Sequence, residues 1–345
     1  MRYDDLYISA AAHRLPGRVA VADAVAAGLC DAAVARRTGL REISVADGEP
    51  PAEMAAAAAR AALRASGHGP HDIDLVLHAD VYYQGHDLWP PASYVQRAAV
   101  GNRCPAVEVR QMSNGGMAAL ELAAGYLRGT GGTAALLTTG DWFGPPGFDR
   151  WRSDPGTVYA DGGTALVLSR RPGFAALRSL ATVSDPDLEG LHRGDDPFGQ
   201  APFSHRPAVD LAAHKDDFVA VHGISYCVNR VSAGQEEALK RALADADTEL
   251  AEIDWFVLPH LGLRRLTAAY LRPWGVDAAV TTWSWARTVG HLGAGDQYAG
   301  LAELAASGRV RPGQRCLLAG VGAGFTWSFA VVDVLAEAPV RDAAA

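Results

Sequence analysis

The stretch Met54–Ala79 reads MAAAAARAALRASGHGPHDIDLVLHA. Its first half, Met54 to Ser66, is made of strong helix formers with no breaker, which predicts a helix. Asp72-Ile73-Asp74 then leads into the apolar run Leu75 to Ala79, short enough for a strand buried on both faces. The same order returns in GQEEALKRALADADTELAEIDWFVL, Gly234 to Leu258. There a helix pattern over Gly234 to Ala246 precedes Ile253-Asp254 and the apolar run Trp255 to Leu258. Helices alternating with short buried strands predict an α/β fold, and the recurring order predicts two like halves.

Working outward, Met117 to Arg128 reads as a helix, and Thr133 to Thr139 and Thr164 to Ser169 as strands. Cys316 to Gly320 with Ser328 to Val334 is the expected counterpart of those strands in the second half. The expectation is a duplicated, five-layered α/β/α/β/α chain. Residues 1–172 form the first half and 216–345 the second. Residues 173–215 lie in a stretch rich in Asp, Pro, Gly and His that reads as a connection or lid.

Composition narrows the function. The 345 residues are 49% apolar and 20% charged, with a net charge of −8. No basic excess exists to neutralise phosphates, so nucleic acid is not an expected partner. No apolar run is long enough to span a membrane. The N-terminus, MRYDDLYISA, lacks the basic region and apolar run of a secretory signal, so a cytoplasmic location is expected. Cys30, Cys104, Cys227 and Cys316 are scattered and form no CxxC pair, which predicts free thiols and neither a disulfide framework nor a metal site. His78, His86 and His222 are not spaced as metal ligands.

Four strings, in order, resemble ketoacyl-ACP synthase III of the thiolase superfamily. They are Arg37-Thr38-Gly39-Leu40-Arg41-Glu42, Asp161-Gly162-Gly163, Pro259-His260 and Gly322-Ala323-Gly324-Phe325-Thr326-Trp327. The resemblance implies the thiolase fold. It also implies an acyl-enzyme formed at the start of a central helix, where the family carries cysteine.

The departures from that pattern carry more information. Gln111-Met112-Ser113-Asn114-Gly115 puts Ser113 at the nucleophile position. Leu263 and His291 occupy the two positions where the family has asparagine. Gly290-His291-Leu292-Gly293-Ala294-Gly295-Asp296 resembles a subgroup of acyltransferases and starter-unit enzymes of antibiotic and polyketide biosynthesis, in which a Cys- or Ser-His-Asp triad is used. The substitution has a chemical reason. A thiol is partly ionised unaided, whereas a hydroxyl needs a base within hydrogen-bond reach. His291 is the expected base and Asp296 its orienting carboxylate. Read without the resemblance, Ser113 is a helix N-cap and His291 a core histidine.

The resemblance implies further roles. His260 keeps a catalytic position. Backbone N–H groups of Ser113 and Ala323 form the oxyanion hole. Arg37 and Arg265 face coenzyme A or the acyl carrier protein, and Trp89 lines an acyl pocket across a homodimer. Asp161 holds a turn. No cofactor is implied beyond the donor's acyl-phosphopantetheine, on a carrier protein or coenzyme A. Ala33, where the family stacks tryptophan on the adenine of coenzyme A, favours the carrier protein.

Two functions follow as expectations. One is acyl transfer through Ser113 to a hydroxyl or amine of a small-molecule acceptor such as a sugar. The other is starter-unit condensation with malonyl-ACP. A non-catalytic ketosynthase-like partner is the third.

Overall fold

In the computed structural model, which describes residues 1–339, eleven strands form one nine-stranded sheet and one two-stranded ribbon. The strands are β1 (Tyr7–Arg14), β2 (Arg18–Ala20), β3 (Glu42–Ser44), β4 (Ile73–Ala79), β5 (Ala106–Val109), β6 (Ala134–Asp141), β7 (Gly162–Ser169), β8 (Ala175–Ser184), β9 (Trp255–Val257), β10 (Arg315–Gly322) and β11 (Thr326–Val334). The large sheet runs β5-β4-β6-β7-β1-β8-β11-β10-β9.

The pairing carries the duplication. β4 is parallel to β6, and β7 is antiparallel to β6 and to β1. In the second half β9 is parallel to β10, and β11 is antiparallel to β10 and to β8. The halves meet at β1 and β8 through the pairs Tyr7↔Ala176 and Ile8↔Ala175.

Helices complete the layers. α1 (Pro51–Ser66) covers the outer face of the first half, where Ala55, Ala58, Ala59 and Ala62 pack on Ala10, Val76, Leu136 and Val167. Alanine is required because the approach is close. A Cβ on Gly140 of β6 would sit 2.6 Å from the Pro51 carbonyl oxygen, and one on Gly163 would strike the Met54 backbone. α2 (Gly115–Thr130) and α5 (Asp296–Ala306) lie between the halves and are buried over most of their length. α4 (Ile224–Asp245) packs on β8 and β11, and α3 (Leu211–His222) precedes it. The α/β thiolase-type architecture expected from the sequence is present, with the long central sheet as its frame.

One boundary moves. The segment 173–215, expected as a connection or lid, contains β8, a strand buried at the centre of the sheet. Its sequence, AALRSLATVS, is diluted by small and polar residues and flanked by turn formers, so its apolar pattern is weak. The connecting stretch shrinks to the helical turn Pro186–His192 and the irregular residues up to α3. Among the described residues no helix is long and apolar enough to cross a membrane.

Candidate active site

The chain turns sharply at the start of α2. Met112 adopts φ 49°, the left-handed region that non-glycine residues enter at a cost of about 1–2 kcal/mol. The Asn114 N–H donates to the Gln111 carbonyl at 3.1 Å and the Gly115 N–H to the Met112 carbonyl at 2.9 Å. Ser113 rides on this tight turn. It is not the N-cap: Asn114 holds that position, and the Ser113 hydroxyl points elsewhere.

Ser113 Oγ lies 2.8 Å from His291 Nε2. His291 Nδ1 lies 2.6 Å from Asp296 Oδ2. A carboxylate only accepts, so Nδ1 carries the proton and Nε2 turns a lone pair to the serine. Asp296 also accepts from the Leu292 N–H at 2.8 Å and the His260 N–H at 2.7 Å. Burial pushes its carboxyl up. The neighbouring His260 and His291 imidazoles and these hydrogen bonds outweigh burial and hold it at about 2.

Glycines bring the two loops together. Gly115 and Gly116 open α2, and a Cβ on Gly116 would fall 2.6 Å from the Ala294 carbonyl oxygen. The His291–Asp296 loop can therefore lie directly on the first turn of the helix. Tyr298 anchors the contact by donating its hydroxyl to the Gly116 carbonyl at 2.6 Å. The Gly322–Gly324 turn closes the third side, because a Cβ on Gly322 would strike the Gln111 carbonyl and approach Asn114. Ala323 thus belongs to the turn that packs against the serine's own.

His260 stands beside these groups, completely buried. Its Nδ1 lies 3.0 Å from the Gly290 carbonyl and 3.3 Å from Asp296 Oδ1, so Nδ1 carries the proton. Nε2 is buried with no hydrogen-bond partner among the described residues. Burial lowers the tendency of this imidazole to protonate, more than Asp296 and the Gly290 carbonyl raise it.

The remaining expected residues divide. Arg37 is exposed and makes no ion pair among the described residues. It lines a cleft of about 340 Å³ with Gly156, Arg264 and Arg265. Arg265 lines the same cleft, but its guanidinium is committed inward, donating to both Asp154 carboxylate oxygens at 2.8 Å and to Thr157. Trp89 packs edge-on against His86 and Tyr94, while Leu88 is the fully exposed apolar side chain of that loop. Asp161 accepts from Arg150 through two bonds and from the Ala46 and Phe143 N–H groups, which is the work of a turn holder. Leu263 packs beside Gly39.

Sequence reasoning missed two neighbours. Tyr159 sets its ring 5.0 Å from that of His291 and continues into Phe143 and Phe148, an aromatic wall beside that imidazole. Asp141, at the end of β6, accepts from the Val81 and Tyr82 N–H groups, and the Ala294 N–H lies at 3.4 Å. The signal available was an acidic residue closing the apolar run LLTTGD. Among the described residues no cluster of His, Cys, Asp or Glu is arranged to hold a metal.

The chain as a whole is similar to known proteins. Residues 243–334 match the family described as 3-oxoacyl-(acyl-carrier-protein) synthase III C terminal. The chain is 30% identical over 308 residues to the β-ketoacyl-acyl-carrier-protein synthase III of Rhizorhabdus wittichii, covering 87% of this chain and 89% of the relative. The Thiobacillus denitrificans enzyme of the same name is 29% identical over 308 residues, covering 86% of this chain and 88% of the relative. Among solved structures, the acyltransferase ChlB3 superposes with a TM-score of 0.93 at 36% identity, covering 97% of this chain and 99% of that one. The 3-oxoacyl-(acyl carrier protein) synthase III of Xanthomonas oryzae superposes at 0.75 with 21% identity, covering 96% of this chain and 100% of that one, a likeness of fold.

Proposed function

Because the chain belongs to the β-ketoacyl-acyl-carrier-protein synthase III family of thiolase-fold enzymes, we propose that it is an acyltransferase working through an acyl ester on Ser113. The observation that carries this reading is the continuous chain Ser113–His291–Asp296, at 2.8 and 2.6 Å. His291 Nε2 takes the hydroxyl proton as Ser113 Oγ attacks the thioester carbon. The thiolate then leaves with that proton. In the second half the acceptor's O–H or N–H gives its proton to His291, the acceptor attacks the ester, and Ser113 Oγ leaves reprotonated. N–H groups of Ser113 and Ala323 are the proposed oxyanion donors.

Two observations favour transfer over condensation. Decarboxylating a malonyl thioester leaves an enolate that needs N–H or O–H donors. Leu263 offers none. His260 holds its proton on Nδ1, against Gly290, and leaves Nε2 a buried lone pair with no donor to offer.

The donor is proposed to be an acyl carrier protein, engaged by Arg37 at the mouth of the 340 Å³ cleft. The acceptor is proposed to be a hydroxyl or amine of a natural product such as a sugar. A homodimer is proposed through β5, an edge strand of the sheet that leaves Val107 exposed.

The test is the product. With malonyl carrier protein and an acyl donor, the transferase reading expects an acyl-enzyme and no CO2. Stoichiometric CO2 release would establish the condensing enzyme instead.

A further inference from the structure

We infer that Asn114, next to the nucleophile, is a positioning residue: a one-way chain of hydrogen bonds from Asn114 through Ser328 and Thr182 to the Glu121 carboxylate holds the Ser113 turn against the turn that carries Ala323. The inference rests on the acyl-Ser113 reading above and names what fixes that serine in place.

Asn114 caps α2 by its place alone. An asparagine there ordinarily turns its side-chain oxygen to the N–H groups of the first helical turn. This one makes no such bond, and its Oδ1 is buried without a hydrogen-bond partner among the described residues. Its Nδ2 is committed elsewhere, donating to Gln111 Oε1 at 2.6 Å and to Ser328 Oγ at 2.8 Å. The first bond closes the turn on which Ser113 rides. The second crosses to β11, the strand that follows the Gly322–Gly324 turn. β10 leaves room for the amide, since a Cβ on Gly320 would strike Asn114 Oδ1. Ser328 is the residue paired with Gly320 across the β10–β11 ladder.

The chain runs in one direction. Ser328 Oγ lies 2.8 Å from Thr182 Oγ1 of β8, and Thr182 donates to Glu121 Oε2 at 2.6 Å. A carboxylate only accepts and an amide nitrogen only donates. Ser328 therefore gives its hydrogen to Thr182, and every link carries one hydrogen. The opposite amide orientation would draw the Ser328 hydrogen to Asn114 and leave two hydroxyl oxygens facing each other with none between them. Glu121 follows Asn114 by seven residues, on the same face of α2. The chain thus leaves the helix at its start and returns two turns later, tying α2 to β11 and β8. Asn114 and Ser328 are completely buried, so water does not compete for these bonds. A slip of the helix start would part Ser113 Oγ from His291 and the Ser113 N–H from that of Ala323.

The experiment is single-turnover acylation of Ser113 by acyl carrier protein, followed by intact mass. Rates are taken per site that finally acylates, so misfolded protein drops out. Thr182→Val keeps the shape of the side chain and leaves the Ser328 hydrogen without an acceptor. It is expected to slow acylation roughly tenfold with the donor concentration for half-saturation unchanged, while Thr182→Ser stays within about twofold of the wild type. Asn114→Ala, which frees the turn itself, should slow acylation on the order of 100-fold. Adding Thr182→Val to Asn114→Ala should cost no more than about twofold further, because the chain is already cut. A wild-type rate per site in Thr182→Val, with the loss confined to melting temperature or acylated fraction, would overturn the inference alone. So would losses that multiply in the double variant. Absence of any Ser113 adduct in the wild type would overturn the acyl-enzyme reading and the inference with it.

Discussion

Arg265 grips Asp154 through two parallel hydrogen bonds of 2.8 Å, and Lys215 reaches the same carboxylate at 3.1 Å. The pair joins residues 111 apart in sequence, and Asp154 is buried. Burial pushes this carboxyl up, but the hydrogen bonds and charges of Arg265 and Lys215 outweigh it and hold it far below its usual range.

The two arginines read from sequence as one carrier-binding pair should therefore behave differently. Arg37→Ala is expected to raise KM for an acyl carrier protein several-fold while leaving the melting temperature unchanged. Arg265→Ala leaves a buried carboxylate with Lys215 as its remaining ion partner and should cost on the order of 2–3 kcal/mol. That is below the usual penalty for breaking a buried pair because Arg265 is partly exposed. Thermal melts beside carrier titrations separate the two effects. Equal melting temperatures for both variants would refute the division.

Gly116 sets the distance between the Ser113 turn and the His291–Asp296 loop. In Gly116→Ala the new Cβ collides with the Ala294 carbonyl oxygen, 2.6 Å away, and must push α2 from the His291–Asp296 loop. Displacements of about 1 Å near reacting groups cost roughly 100-fold in rate. The expected outcome is a loss of that order in kcat with little change in KM for the donor, measured by single-turnover acylation.

Asp80 supplies a pH dependence. Burial, opposed by Arg110 and reinforced by Glu108, raises its carboxyl to about 6. The unfolded chain ionises near 4 and the folded chain near 6. Between those values the folded state holds the extra proton, so stability falls as pH rises and levels off above about 6. Two pH units correspond to roughly 3 kcal/mol as an upper scale. Asp80→Asn is expected to melt near the wild type at pH 4 and above it at pH 8. A stability difference independent of pH would count against the raised carboxyl.

Much of the site was legible because short strings carry it. Ser113, His291 and Asp296 sit in glycine-rich motifs whose order along the chain is itself a signature, and the fold followed from two helix–strand units with the same spacing. What stayed hidden depends on distant contacts. Arg265 looks like a surface charge until Asp154 folds against it. Tyr159 is one aromatic residue among many until its ring meets His291. β8 lacks a strong apolar pattern, yet it is held on both sides by β1 and β11. The lone pair on His260 depends on the position of the Gly290 carbonyl, 30 residues away, which no spacing rule reveals.

The central claim is an acyl ester on Ser113, and intact-mass analysis after incubation with acyl carrier proteins tests it most directly. The wild type is expected to gain the mass of one acyl group, mapped by peptide analysis to Ser113. Ser113→Ala should gain none, and His291→Ala should acylate roughly 10²–10⁴-fold more slowly. The same adduct on Ser113→Ala as on the wild type would contradict the account.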